Sequence, residues 1–519
     1  MPDMEAQAIN RRSAIMKALQ MHPGVREAAV LQDGRDRLIA FVLPDDSYLD
    51  NVLGRSASSA TAVDKWRKTS DLNLLTKNAA LAPVGFNTTG WNSSYTRHPI
   101  PFNHMREWVD TTAEDILQLV PKSVFEIGCG TGMLVMRIAP HSERYVASDI
   151  SLVALENLKK QLHTIPSLAD QIEIVNRGAD NFDGIEDSSF DTVVLNSVAQ
   201  YFPNTSYLTR VLESAIRVTR PGGHIYVGDI RNLPLLPVFA SSVEIVQAAD
   251  AVGVEQLRDR IRRHVEREQE LVIAPAYFLA LQSKFAKLSR VEIRLRRGRA
   301  DNEMTRYRYN AILHIGHETE ALYNDGFLDW EDHKWTSAEI RSMLLHRPDV
   351  RFGVKRIQNA RIEKDVASLA FLRGVDAPQS AAELRRRLGE YVERGIHPQD
   401  LIDLETEGLG FAVFLSWAGC RTDGSFDAFF VPRSSMDGMT LPIIGWPGSE
   451  PSALVRLTNT PGQLKLRDEL TGQLIAHCSR NLPNDMPAIE IALVDAVPRR
   501  SDGELDDLAL LASTKSAIL

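Results

Sequence analysis

The stretch SVFEIGCGTGMLVMRIA, residues 123–139, constrains the fold more than any other. An apolar run of strand character leads straight into Gly128, Gly130 and Gly132, and an apolar run of helical character follows. Glycines in such a turn reach backbone conformations closed to other residues and let a ligand come close. The helix that follows presents unpaired N–H groups and a partial positive charge at its start. From about 64 to 315 the chain goes on alternating strand and helix character, so a parallel α/β sheet is expected there. In such sheets the ligand lies at the carboxyl ends of the strands.

The residues around the glycines narrow the ligand. A dinucleotide site prefers G-x-G-x-x-G; here the spacing is G-x-G-x-G, and an acid, Glu126, stands two residues before Gly128. A carboxylate there repels a pyrophosphate but suits a cation. The next strand, RYVASDI, ends in Asp149 and Ile150, and an acid at that place can accept both hydroxyls of a ribose. IEIVNRGADNF puts Asp180 and Asn181 after the third strand, where an adenine amino group can be met. S-adenosylmethionine offers a sulfonium, an ammonium, a ribose and an adenine together.

The remaining composition is that of a soluble enzyme. Of 519 residues, 44% are hydrophobic and 24% charged, and the net charge is −9, which disfavours nucleic acid as a partner. Cys129, Cys420 and Cys478 are too few for a disulfide framework and lack metal-ligand spacing, so no metal is expected. No apolar run reads as a leader or a membrane span, and a cytoplasmic protein is the expectation. SYLDNVLGRSASSATA, residues 47–62, reads as a linker, EQLRDRIRRHVEREQE at 255–270 as a helical lid, and the charged region 373–398 as the opening of another unit.

Six segments carry a resemblance: GWNSSYTRHPIPFNHMREWV (90–109), FEIGCGTG, YVASDIS, FDTVVLNSVAQYFP (190–203), RPGGHIYVGDIRN (220–232) and EMTRYRYNAILHIG (303–316). Together they resemble the methyltransferase domains embedded in the adenylation domains of nonribosomal peptide synthetases. The resemblance implies a class I, Rossmann-like methyltransferase sheet at 64–317, a C-terminal extension of the insertion at 318–450, and S-adenosylmethionine as cofactor. It implies methyl transfer, most often to an amine nitrogen of a carrier-bound amino acid. Trp91 and Tyr95 lie in the segment that folds over the cofactor in that family, with Met105 beside the substrate.

Other candidates follow from the edge of the sheet. Asn196, Ser197, Gln200 and Tyr201 follow the fourth strand, and Asp229 and Arg231 the fifth. Glu303, Arg306, Tyr307 and Tyr309 lie in EMTRYRY, where tyrosines alternate with arginines as in a strand. An α-amine is partly protonated near neutral pH, so the reaction calls for a proton acceptor. Asp229 is the first candidate, then Glu303, with Tyr201 and His104 behind them. Asn103 and His104 depart from the acidic residues usual in the family before MREW, and a histidine there can act as a base or meet a carboxylate.

The ends of the chain resemble two halves of one thing. MKALQMHPGVREAAVLQDGRDRLIAFVLP is similar to the start, and LRDELTGQLIAHCSRNLPNDMPAIEIALVDAVPRRSDGELDDLAL to the finish, of the small C-terminal subdomain of adenylation domains. Residues 1–50 and 453–519 are therefore expected to fold together as a split α/β subdomain. Glu504 stands where that family has its catalytic lysine, and no large adenylation core accompanies it, so adenylation activity is not expected. Three functions compete: a methyltransferase of secondary metabolism acting on the nitrogen of an amino-acid-derived substrate, free or carrier-bound; a small-molecule O-methyltransferase; and a non-catalytic protein that docks to a synthetase component. The N-methyltransferase is preferred.

Overall fold

The chain is described by a computed structural model covering residues 2–32, 38–45, 48, 58–75, 82–316, 322–323, 326–436, 442–449, 457–461, 463–483, 489–494, 497–500 and 502–510. A helix, α1 (Pro2–Gln20), leads into a hairpin of β1 (Val25–Gln32) and β2 (Leu38–Pro44), paired antiparallel with Ala29 opposite Phe41. Most of the QDGRD segment between these strands, residues 32–36, lies outside the described residues. So does most of the expected linker; its described end is helical. Ser58–Leu74 forms α2, because Ala60 and Ala62 favour a helix and Trp66 gains a packing partner described below.

Next come α3 (Phe102–Leu117) and the strands β3 (Ser123–Ile127), β4 (Arg144–Asp149), β5 (Ile172–Asn176), β6 (Phe190–Asn196), β7 (Thr219–Arg231), β8 (Leu288–Leu295) and β9 (Arg308–Ile315). Between them lie α4 (Leu152–Leu162), α5 (Thr205–Val218), α6 (Leu236–Gln247), α7 (Val254–Glu266) and the short α8 (Glu303–Tyr307). The strands form one sheet in the order β5-β4-β3-β6-β7-β9-β8. Five are joined in parallel, while β9 runs antiparallel to both β7 and β8. This is the class I, Rossmann-like methyltransferase arrangement. Central β6 is buried at every position, as a strand covered on both faces must be. The order reverses at β3, so the glycine turn after β3 opens at the switch point where ligands bind.

EMTRYRY is not all strand. Asn302 caps α8 by accepting from Met304 N and Thr305 N, and strand geometry starts only at Arg308. Nor does 373–398 open a unit of its own, since all of it belongs with residues 62–261 and 270–459 in one compact unit. Its charges serve that unit: Arg385 donates to the carbonyl of Ala248. A second sheet in this unit orders β10 (Phe327–Asp329), β11 (Phe352–Ile357), β13 (Phe426–Pro432) and β12 (Phe411–Ser416), joined by α9 (Glu363–Arg373). β12 and β13 pair antiparallel across the turn that holds Thr422, Asp423 and Gly424.

The other unit gathers residues 1–61, 262–269 and 460–519. In it α10 (Gln463–Asn481) and β14 (Ile489–Leu493) follow, and β14 pairs in parallel with β2, giving a three-stranded sheet from both ends of the chain. Alternation along the strands makes two cores. Ala28, Val30, Ala40 and Val42 meet Ile15 and Leu19 of α1 and Leu470 and Leu474 of α10. Ala29, Leu31, Ile39 and Phe41 meet Val494, Val497, Leu505 and Leu510 of the tail. No described helix is long and apolar enough to cross a membrane.

Candidate cofactor and methyl-transfer site

The glycine turn has the conformation its sequence asks for. Gly128, Gly130 and Gly132 have φ of 76°, 53° and 85°, a region that L side chains avoid. A Cβ on Gly128 would stand 2.4 Å from Val198, and one on Gly132 2.5 Å from Leu158. On Gly130 it would meet nothing within 4 Å. The outer glycines are thus needed for packing, and the middle one faces open space.

Two acids support this turn. Asp149 accepts from Gly130 N at 2.9 Å and from Ser151 N at 2.7 Å, and burial raises its pKa. Glu126, expected to face the ligand, is only 3% exposed. It accepts from the Tyr145 hydroxyl at 2.7 Å, and burial pushes its pKa up to about 7. The acid sits beneath the turn because β3 directs it into the sheet's packing beside Tyr145 of β4. Ile150 is 37% exposed just past Asp149. Asp180 and Asn181 are exposed, and Asp180 accepts from the Tyr207 hydroxyl at 2.9 Å. The side-chain oxygen of buried Asn196 has no hydrogen-bond partner among the described residues.

The next strand ends carry a charged network. Asp229 is fully enclosed and accepts from Trp108 Nε1 at 3.0 Å, Ser197 Oγ at 2.9 Å and Arg308 Nη1 at 2.6 Å, with Arg296 at 3.6 Å. Ser197 and Asp229 both have left-handed φ, 57° and 59°, a strain that persists only where surroundings impose it. Gln200 donates to Ser197 Oγ at 3.1 Å. Asp229 and Arg231 do not pair with each other; Arg231 pairs with Glu270 at 2.7 Å. With donors on both oxygens, Asp229 holds this edge of the sheet together.

The remaining candidates divide. Tyr201 packs on Trp66 of α2 with ring centroids 4.7 Å apart, and burial pushes its pKa up to about 12, so it stays a neutral phenol. Glu303 accepts from Ser94 N at 2.8 Å and Ser94 Oγ at 2.9 Å, which fastens the Trp91–Tyr95 segment. Trp91 packs against Trp108, and the Tyr95 hydroxyl lies 2.8 Å from Ser242 Oγ. Tyr307 donates to Asp365 at 2.6 Å, while Arg306 holds Asp301 at 2.6 Å and Asp365 at 3.4 Å. His104 makes one long contact, 3.4 Å to Asn302 Nδ2.

Two candidates lie in the core. Met105 is fully buried in the core beside Trp108 and Val109, on the inner face of α3. Tyr309 is also fully buried, and its hydroxyl donates to the carbonyl of Ile273 at 3.0 Å. Trp66, Trp108, Glu270, Arg296, Arg308 and Asp365 belong to the network and were not singled out by sequence. Only Arg308 had a signal, as the arginine between the two tyrosines of YRY.

The residues fit S-adenosylmethionine on three observations. The middle glycine leaves room for a close ligand, Asp149 retains lone pairs beside it, and the buried Asn196 oxygen lacks a donor. Residues 125–225 match the family described as "Methyltransferase domain". The chain carries an S-adenosylmethionine-dependent methyltransferase domain. Over 96% of its length it is also 36% identical to chondramide synthase cmdD of Chondromyces crocatus. It is 30% identical to the beauvericin nonribosomal cyclodepsipeptide synthetase of Beauveria bassiana, again over 96% of this chain. The methyltransferase spans only 13% and 16% of those two proteins.

Proposed function

We propose that the methyltransferase acts in secondary metabolism, on an amine nitrogen of an amino-acid-derived or peptidyl substrate, free or carried by a partner. The likeness to peptide synthetases over 96% of the chain carries this reading. S-adenosylmethionine supplies an electrophilic methyl group when bound. Asp149, Asp180 and Asn181 are read as holding its nucleoside, with Ile150 against the base and Asn196 and Ser197 at the methyl end. The chain's main contribution is to align the nitrogen lone pair with the methyl and to keep water out. The nitrogen gains the methyl and loses a proton, while the sulfur keeps the pair of the broken bond.

Asp229 is held by two arginines, Glu303 by Ser94, and Tyr201 is a neutral phenol, so His104 is read as the proton acceptor. Gln200, Arg231, Arg306 and Tyr307 are read as the substrate side. The small unit built from both chain ends is read as an adenylation-like subdomain without adenylation chemistry, serving as a docking surface for a synthetase component in the cytoplasm. Radiolabelled methyl transfer to a panel of amino acids and their thioesters, followed by mass spectrometry, tests the reading. N-methylated product is expected; label only on oxygen or carbon overturns the nitrogen assignment.

A further inference from the structure

Four buried asparagines in the methyltransferase unit, Asn87, Asn196, Asn232 and Asn359, each have one side-chain atom without a partner among the described residues, and two of them, complementary to each other, lie in segments that touch the glycine turn. Asn196, at the carboxyl end of β6, has an unpaired side-chain oxygen, an acceptor. Asn87, in the loop before Trp91, has an unpaired side-chain nitrogen, a donor. They are 7% and 6% exposed. Leaving such a group without a partner in the folded state costs about 1–3 kcal/mol, so unpaired buried groups in pairs point to something that pairs them.

Both amides belong to segments that touch the glycine turn, and the Asn196 oxygen lies over β7, 2.2 Å from where a Cβ on Gly228 would stand. The segment after Asn196 presses on it, since Val198 is the side chain that a Cβ on Gly128 would strike. The loop of Asn87 is latched to its other side. Gln161 accepts from Gly85 N at 2.6 Å and donates to the carbonyl of Thr131 at 3.0 Å. Arg137 donates to the carbonyls of Gly85 at 3.0 Å and Met133 at 2.9 Å. Thr131 and Met133 bracket Gly132. The Asn87 amide oxygen is engaged by Thr89 N at 3.0 Å, which leaves its NH2 as the free end.

An ammonium needs acceptors and a carboxylate needs donors. We propose that Asn196 and Asn87 read the two ends of the amino-acid tail of S-adenosylmethionine, with Asn196 on the ammonium and Asn87 on the carboxylate. This rests on the cofactor reading of the site and adds which end each amide meets. Asn87 is thereby a binding residue in a segment that carries no charge.

The test pairs two ligands with opposed substitutions. S-adenosylhomocysteine keeps the tail, and 5′-methylthioadenosine lacks it. Calorimetric titration of both is expected to show that Asn87→Ala weakens S-adenosylhomocysteine roughly tenfold and leaves 5′-methylthioadenosine unchanged. Asn87→Asp, which sets a carboxylate against a carboxylate, is expected to weaken the first ligand further. Asn196→Asp, which keeps an acceptor of the same shape, is expected to retain it. Circular dichroism melts confirm that each variant is folded before titration. Equal losses for both ligands, or no loss in either Asn87 variant, overturn the assignment. Binding of neither ligand by wild type overturns the cofactor reading and the assignment with it.

Discussion

Arg308 Nη1 lies 2.6 Å from Asp229 Oδ2 where β9 and β7 run side by side, and the carboxylate is fully enclosed. The pair closes the sheet where its parallel part meets the antiparallel β9. Removing the arginine strands a buried charge, which typically costs about 3 kcal/mol or more. Arg308→Gln is expected to lower the free energy of unfolding in urea by about 3 kcal/mol, and Asp229→Asn by at least as much, because it leaves both Arg308 and Arg296 without the carboxylate. Equal small losses in both variants would show that Arg296 and Trp108 suffice to hold Asp229.

The three glycines are expected to separate binding from stability. Gly130→Ala meets no atom within 4 Å but keeps a φ of 53°, so its stability loss is about 1–2 kcal/mol while the methyl from the new Cβ intrudes on the ligand. Gly132→Ala, with Leu158 at 2.5 Å, must shift core packing as well. Thermal melts alongside S-adenosylhomocysteine titrations check this. Gly130→Ala should lose affinity out of proportion to stability, and Gly132→Ala should lose the larger share of stability.

Glu126 gives the fold a pH dependence of definite sign. Burial raises its pKa from 4.5 to about 7, so the folded protein holds this proton more tightly than the unfolded chain. Its contribution is complete below pH 4.5 and is lost as the pH rises through about 7. Denaturation at a series of pH values should show a loss of up to about 3 kcal/mol in wild type that is missing in Glu126→Gln, whose amide still accepts from Tyr145. Parallel curves for the two proteins would mean that Glu126 is ionised in the fold.

In the small unit, Glu504 is exposed on a turn where its carbonyl accepts from Arg500 N at 2.8 Å. A lysine there reverses the charge on an exposed turn. Glu504→Lys is expected to show no amino-acid-dependent pyrophosphate exchange and unchanged thermal stability, because an exposed side chain away from packing changes stability by about 0.5 kcal/mol or less. Exchange activity in the variant would contradict the reading of the unit as a surface without adenylation chemistry.

Period and spacing made most of the architecture legible. The alternation from 64 to 315 is the seven-stranded sheet, the G-x-G-x-G turn sits at its switch point, and Val494, Val497, Leu505 and Leu510 pack on the hairpin. These are local patterns, and each dictates a conformation or a face by itself. The direction of a strand is not local, so the antiparallel turn of β9 was not visible. Nor was the helical start of EMTRYRY, where the Asn302 cap outweighs the strand-like alternation.

At the site, the sequence by itself determined the glycine turn and the acids at the strand ends, because that spacing dictates a local conformation. The tertiary structure decided what each side chain does there. It closed Asp229 between Arg308 and Trp108, drew Glu126 beneath the turn against Tyr145, buried Met105 and Tyr309, and left one amide atom each of Asn87 and Asn196 without a partner among the described residues. The reason is range. A turn is fixed by neighbours within a few residues, whereas the state of a charged or polar group is set by partners from distant strands and by the water they exclude.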